Sequence, residues 1–304
     1  MSDNAASILA RLKNKAKTSG ISYQQCLQLF FQEEFLRKLA ISRYSKNFIL
    51  KEGLFIYTLT NFKSRATVDI DFLMRGLNNE LFKIDEIISE IISVNTGNDY
   101  IIFKASKAKA ITPQRKYHGV NLKITGYIKN IRVPFDIDIG VGDVVIPSIQ
   151  QLKIQPQLDG FEKQEILTYS LESTVAEKLD AILQRLALTS RMKDFYDIYE
   201  LSHIFDFKGP ELKMAILATI KTRKTPFNDE SFDNILALAD NPDMQVKWKY
   251  FLKTLNDPDI PFKSIIDGIQ IFLQPVCTSI LAEKPFNKKW AAVDGQWNPT
   301  TKDL

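Results

Sequence analysis

Two short stretches constrain this chain more than any other feature. Val68-Asp69-Ile70-Asp71-Phe72-Leu73 and Val133-Pro134-Phe135-Asp136-Ile137-Asp138-Ile139 both alternate apolar and acidic residues with a period of two, the pattern of a half-buried strand. On a strand the two carboxylates of each pair face one side, with α-carbons roughly 6.5–7 Å apart, and the isoleucine between them points into the core. Such a pair can converge on one or two hard cations, which is how phosphoryl transfer clamps phosphate oxygens and stabilises the entering and leaving groups. One pair alone suits two solvated carboxylates on an edge strand equally well. Two pairs in one domain are harder to dismiss, because clustered like charges need a cation or hydrogen-bond donors to compensate them. Whether Asp136 or Asp138 belongs with the first pair stays open, and Asp143, after Gly142, reads as a turn residue.

The segments around these strands predict an α+β fold. Ser7 to Lys17 and Tyr23 to Leu39 carry apolar residues at helical spacing, Phe48 to Leu50 reads as a short buried strand, and an apolar helix follows from Leu54 to about Thr60. Thr67 to Met74 alternates as a strand. Leu81 to Val94 gathers its isoleucines on one helical face. Tyr100 to Phe103, Val120 to Ile128 and Ile131 to Ile139 read as antiparallel strands, the last two joined by a turn at Lys129 and Asn130. Beyond Pro147 a Gln-rich polar connection, Gln150 to Gln164, leads into helices: Leu171 to Leu188, Asp194 to Phe205, Pro210 to Lys221, Gln245 to Leu255 and Ser264 to Leu281. The expected division is therefore an α/β domain over 1–149 and a helical domain over 150–304, ending in an irregular tail from Lys284.

Charge is distributed unevenly. The net excess is only +4, but between Tyr100 and Arg132 there are Lys104, Lys107, Lys109, Arg115, Lys116, Lys123, Lys129 and Arg132 and no acidic residue. That run predicts a local positive surface, suited to nucleic acid or merely solvated. Cys26 and Cys277 lie far apart without His or Cys at ligand spacing, so neither a disulfide framework nor a zinc site is expected. Met1 to Lys17 lacks the apolar core of a signal peptide, and no run approaches the roughly 18 apolar residues that span a bilayer, so a cytoplasmic protein with no membrane partner is expected.

Three further segments carry chemistry of their own. Lys51-Glu52-Gly53 stands between a strand and a helix, where backbone N–H groups can hold a triphosphate or simply start the helix. Lys178 adjoins the apolar face of its helix, placed either to contact phosphate or to lie along the surface. Asp194 suits the first turn of the next helix, with Arg191 and Lys193 before it.

In this order the segments resemble the AbiEii/AbiGii toxin family of nucleotidyltransferases: Phe48-Ile49-Leu50-Lys51-Glu52-Gly53, Arg65-Ala66-Thr67-Val68-Asp69-Ile70-Asp71, Asp138-Ile139-Gly140-Val141-Gly142-Asp143, Ala176-Glu177-Lys178-Leu179-Asp180-Ala181 and Arg191-Met192-Lys193-Asp194-Phe195-Tyr196-Asp197. The resemblance runs from about Phe48 to Ile204. It implies a nucleotidyltransferase-like mixed β-sheet with flanking helices, a helical C-terminal domain, and a cleft between them for a nucleoside triphosphate. By position it implies Mg²⁺ held by Asp69, Asp71 and Asp138, and a nucleotide held by Lys51, Gly53, Arg65, Thr67 and Lys178. Asp194 would orient groups or help remove the acceptor's proton. It also implies a cognate antitoxin, a role in abortive infection and phage defence, and an acceptor at the 3′ end of transfer RNA. The family usually has two consecutive glycines after the lysine, and here Glu52 replaces the first.

Two other functions fit the same residues. A decayed transferase fold could bind nucleotide or antitoxin without turnover, with Glu52 as its support. A metal-dependent nuclease could use the same acidic strands, but it leaves Lys178 and Asp194 without a role.

Overall fold

The computed structural model describes residues 4–60, 65, 67–111, 119–255 and 260–300, in two compact units: 1–143 with 149–169, and 144–148 with 170–304.

The first unit is built on one mixed sheet. In chain order it contains α1 (Asn4–Ser19), α2 (Tyr23–Ile41), β1 (Phe48–Lys51), α3 (Glu52–Leu59), β2 (Ile70–Met74), α4 (Leu81–Ser93), β3 (Ile102–Ala105), β4 (Lys109–Ile111), β5 (Gly119–Ile128), β6 (Ile131–Val141), β7 (Gln150–Ile154) and β8 (Gln164–Thr168). The strand order is β3-β5-β6-β2-β1-β8-β7, with β4 also on β5. The β2–β6 and β1–β8 pairs are parallel and the others antiparallel. The β5–β6 hairpin turns at Lys129 and Asn130 as expected, with Lys129 at φ 50°.

Alternation decides which face of this sheet is covered. Leu122, Ile124, Val133, Phe135, Ile137 and Ile139 are buried, as are Leu50 and Phe72. Phe35 of α2 packs on Phe72 and Phe135, with ring centroids 6.3 and 6.4 Å apart, and Phe31 packs on Phe103 at 6.1 Å. Gly126 lies under Phe31, where a Cβ would come within 2.3 Å of the ring, so this site admits no larger residue. Each buried phenylalanine contributes about 2–3 kcal/mol of apolar burial. The capping box of Ser22 and Gln25 starts α2, and its far turns carry Gln32, Glu33, Glu34, Arg37 and Lys38 into the interior. Glu34 accepts from Arg37 Nε at 2.8 Å, from Asn98 Nδ2 at 2.7 Å and from Thr96. Glu33 accepts from the Gln157 amide at 3.1 Å, and burial pushes its carboxyl up to about 7.

Two sequence expectations for this unit are corrected. The Gln-rich stretch is not a polar connection: β7 and β8 extend the sheet, and the first unit continues to Tyr169. β7 is an edge strand whose residues are mostly exposed, so it needs no apolar run to pair. β2 begins at Ile70 rather than Thr67, because the Val68 carbonyl is taken by side-chain amides of α2, from Gln32 at 2.8 Å and from Gln28. Asp69 therefore lies in a bend just before the strand.

The second unit is mainly helical: α5 (Leu171–Arg185), α6 (Met192–Ile204), β9 (Phe207–Lys208), α7 (Gly209–Arg223), α8 (Glu230–Leu236), α9 (Pro242–Leu252), α10 (Phe262–Leu281), β10 (Lys288–Ala291) and β11 (Gln296–Pro299). Ser170 caps α5 by accepting from the Ser173 amide at 3.0 Å. The expected helices are present, and α8 is additional. The tail is not irregular: β10 pairs with β9 and β11, pinned by Trp290 Nε1 donating to the Ser202 carbonyl at 2.6 Å and Trp297 Nε1 to the Phe272 carbonyl at 2.8 Å. Among the described residues α10 is long and apolar enough to cross a membrane by length and composition, contrary to the expectation of no such run. Ile265, Ile266, Ile269, Phe272, Leu273 and Val276 on it are buried, and it packs on α6, α7, α8 and α9.

Candidate active site

Strand register assembles the first set of expected residues. Lys51 is opposite Asp71 across β1–β2, Asp71 is opposite Asp138 across β2–β6, and Asp138 is opposite Asn121 across β5–β6. Residues in register share a face, so these four form one row across the side of the sheet opposite Phe72 and Ile137. Asp71, Asp138 and Asn121 are half-buried. Asn121 Nδ2 donates to Asp138 Oδ1 at 2.7 Å. Register also separates the second acidic pair: Asp138 stands beside Asp71, whereas Asp136 stands opposite Lys123, 3.9 Å from its ammonium.

Lys51 is buried at the end of this row. Its Nζ lies 3.2 Å from Asp143 Oδ2 and 5.2 Å from the centre of the Tyr169 ring. Asp143 is thus an ion-pair partner, beyond the turn role its sequence suggests. The chain then passes from Lys51, which ends β1, directly into α3, with no side-chain cap on the first turn. Glu52 adopts φ 52°, the left-handed region in which a Cβ is unfavourable and glycine is at ease. A glycine suits this position sterically, and the chain holds a glutamate there. Gly53 follows against Thr67, where a Cβ would meet Oγ1 at 2.6 Å and the Thr67 Cβ at 2.9 Å. Thr67 Oγ1 donates to the Asp69 carbonyl at 3.4 Å. Gly53, Thr67 and Asp69 are thereby tied together, and half-buried Arg65 lies just ahead of them.

Among the described residues no three His, Cys, Asp or Glu side chains converge as a ready metal cage. Asp71 and Asp138 form a two-carboxylate floor, with Asp69 in the bend before β2. That floor fits Mg²⁺, which is commonly held by one or two carboxylates together with water and substrate phosphates.

The second unit holds the other expected residues, and it brings them together. Lys178 on α5 is only 3% exposed, with Nζ 3.2 Å from Asp194 and 2.7 Å from Asp197 on α6. Arg191 Nε reaches Asp194 Oδ2 at 2.6 Å. Asp194 is in the first turn of α6, as expected. Lys178 does not lie along the surface of its helix: its charge is buried between two carboxylates. A cavity of about 410 Å³ in the same unit, lined by Trp248, Leu252, Pro261 and Phe262 among others, includes none of these residues.

Of the basic run, Lys104, Lys107, Lys109, Lys123, Lys129 and Arg132 are exposed, and Arg115 and Lys116 lie outside the described residues. Sequence reasoning passed over Asn121 and gave Asp197 no role of its own. Asn121 had one signal, an amide at an outward position of an otherwise apolar-alternating strand.

The family model of the nucleotidyl transferase AbiEii toxin, type IV toxin–antitoxin system, matches residues 34–268. None of the curated proteins compared is similar enough to count as a match. Among solved structures, the fold is similar to MenT4, a nucleotidyltransferase toxin of Mycobacterium tuberculosis H37Rv, at 16% identity and TM-score 0.53, covering 91% of this chain and 99% of that one. It is also similar to JHP933 from Helicobacter pylori, at 12% identity and TM-score 0.50, covering 86% and 95%.

Proposed function

Because the chain belongs to the AbiEii nucleotidyl transferase toxins of type IV toxin–antitoxin systems, we propose that it transfers a nucleotide from a nucleoside triphosphate to the 3′ end of an RNA, transfer RNA foremost, with Mg²⁺ as cofactor. The acceptor hydroxyl attacks the α-phosphate in line, the new phosphodiester forms, and pyrophosphate leaves. The observation that carries this reading is the row in which Asp71 and Asp138 stand in register on adjoining parallel strands.

Asp71 and Asp138, with Asp69, would hold the metal ion, which neutralises phosphate charge and favours the incoming hydroxyl and the departing pyrophosphate. Asn121 fixes one Asp138 oxygen, leaving that carboxylate oriented. Lys51 and the Gly53 amide at the start of α3 serve the phosphates, and Gly53 lets Thr67 approach its backbone closely. Arg65 and Thr67 contribute to the nucleotide. For Lys178 and Asp194, paired within the second unit, the family resemblance implies roles in triphosphate binding and in orienting that lysine. Burial of Asp194 between Lys178 and Arg191 supports an orienting role over that of a proton acceptor. The protein works in the cytoplasm against a cognate antitoxin, in abortive infection by phage.

The test is incubation with each α-labelled nucleoside triphosphate, Mg²⁺ and total RNA. Label should enter RNA with at least one triphosphate, and Asp71→Ala should abolish the transfer. A second reading, a module that binds without turnover, draws on Glu52, whose carboxylate stands at the proposed phosphate loop. Binding of a triphosphate with no transfer from any of the four would establish that reading instead. RNA that shortens would point to a nuclease.

A further inference from the structure

The face that carries the acidic row continues as a surface of different character. Along β5 the outward residues after Asn121 are Lys123, Thr125 and Tyr127, and register brings their neighbours into successive rows: Lys123 with Asp136, Lys104 with Thr125 and Pro134, and Ile102 with Tyr127 and Arg132. Lys109 joins the first row beyond Asn121. From Asn121 to Tyr127 is six residues, roughly 20 Å of strand. Lys104, Lys109 and Arg132 have no acidic partner within 4 Å among the described residues, whereas Lys107 is paired with Asp85 at 3.3 Å.

Charge is only half of the pattern. Ile102 is 58% exposed, Tyr127 is half-buried beside it, and the Lys104 ammonium sits 5.4 Å from the centre of the Tyr127 ring. Lysines alone would serve to attract any polyanion. An aromatic ring and an exposed isoleucine flanked by Lys104 and Arg132 add what a phosphate backbone does not need: an apolar surface for a base. In a duplex the base faces are stacked on one another and unavailable, so the surface suits a single strand.

Resting on the transferase reading above, we infer that this strip is the track of the acceptor's single-stranded 3′ tail, its terminal hydroxyl at Asp71 and Asp138, its phosphates over Lys109, Lys123 and Lys104, and an upstream base stacked on Tyr127 between Ile102 and Arg132. Tyr127 is a positioning residue here: it fixes which length of tail reaches the acidic row.

Binding is measured without any triphosphate, using a fluorescein-labelled single-stranded oligoribonucleotide and a blunt duplex of the same sequence. The single strand should bind at least tenfold tighter than the duplex. Tyr127→Ala should weaken single-strand binding about tenfold, while Tyr127→Phe, which keeps the ring, should match the parent. Lys104→Gln and Lys109→Gln, both at exposed positions, should each reduce the slope of log affinity against log salt by about 0.7. Equal binding of the duplex, Tyr127→Ala at parent affinity, or salt slopes unchanged in both lysine variants would overturn the track. Label transfer by the parent protein is scored separately. Binding that follows this pattern without transfer leaves the track standing and defeats the transferase reading. Transfer with binding indifferent to Tyr127 does the reverse.

Discussion

Lys178→Met is the perturbation whose cost follows most directly from the structure. The substitution keeps the length of the side chain and removes the charge from between Asp194 and Asp197. Asp194 retains Arg191 at 2.6 Å, but Asp197, 2% exposed, loses an ammonium 2.7 Å away. Breaking a buried pair by removing one partner costs about 3–5 kcal/mol, most of it the penalty on the carboxylate that keeps its charge. The three tryptophans, Trp248, Trp290 and Trp297, all belong to the second unit, so their fluorescence in urea reports the unfolding of the unit that holds Lys178. With a slope near 1.5–2 kcal/mol per molar, the midpoint should fall by about 2 M. Adding Asp197→Asn removes the charge that Lys178 had balanced and should restore part of that loss, without restoring nucleotide transfer. A midpoint within about 0.3 M of the parent would refute the buried-pair reasoning. Recovery of transfer in the double variant would refute a role for the Lys178 charge in the reaction.

Three other outcomes are expected. Glu52→Gly and Glu52→Ala both remove the carboxylate, but only glycine relieves φ 52°, so the glycine variant should be about 1 kcal/mol more stable by urea titration; an alanine variant of equal stability would contradict the strain. Burial raises the Glu33 carboxyl to about 7 despite Arg37, Lys15 and the Gln157 amide, so the folded chain holds that proton more tightly than the unfolded one. Its contribution is full below about pH 4.5 and is lost as pH rises through 7, by up to about 3 kcal/mol; Glu33→Gln should flatten the stability profile between pH 5 and 8, and an unchanged slope would contradict this. Asn121→Ala removes the 2.7 Å hydrogen bond to Asp138 and should lower the transfer rate about tenfold with little change in urea midpoint; a parental rate would show that Asp138 needs no such fixing.

Much of this fold is legible because periodicity and burial coincide. β5 and β6 alternate cleanly with one face covered by α2, and the isoleucines of α4 mark its buried side. β7 and the β10–β11 hairpin are not legible, since edge strands held by backbone pairing and by tryptophan hydrogen bonds carry little hydrophobic pattern. At the site, spacing singles out two pairs, Asp69 with Asp71 and Asp136 with Asp138, and the family resemblance adds Lys51, Lys178 and Asp194. Which acidic pair members meet depends on register between strands more than 60 residues apart, and that information is not local. The Asp138 choice over Asp136, the Asn121 contact and the Lys51–Asp143 pair all follow from it. Burial of Lys178 is likewise a consequence of α6 packing on α5, which spacing along one helix does not reveal.

The account turns on Asp138, rather than Asp136, sharing the proposed catalytic row with Asp71. Initial rates of label transfer to RNA in Asp138→Asn and Asp136→Asn test this directly, both substitutions being close in size to the native side chain. Asp138→Asn should fall at least a thousandfold while Asp136→Asn keeps most of its rate; a collapse in Asp136→Asn with Asp138→Asn still active would contradict the assignment.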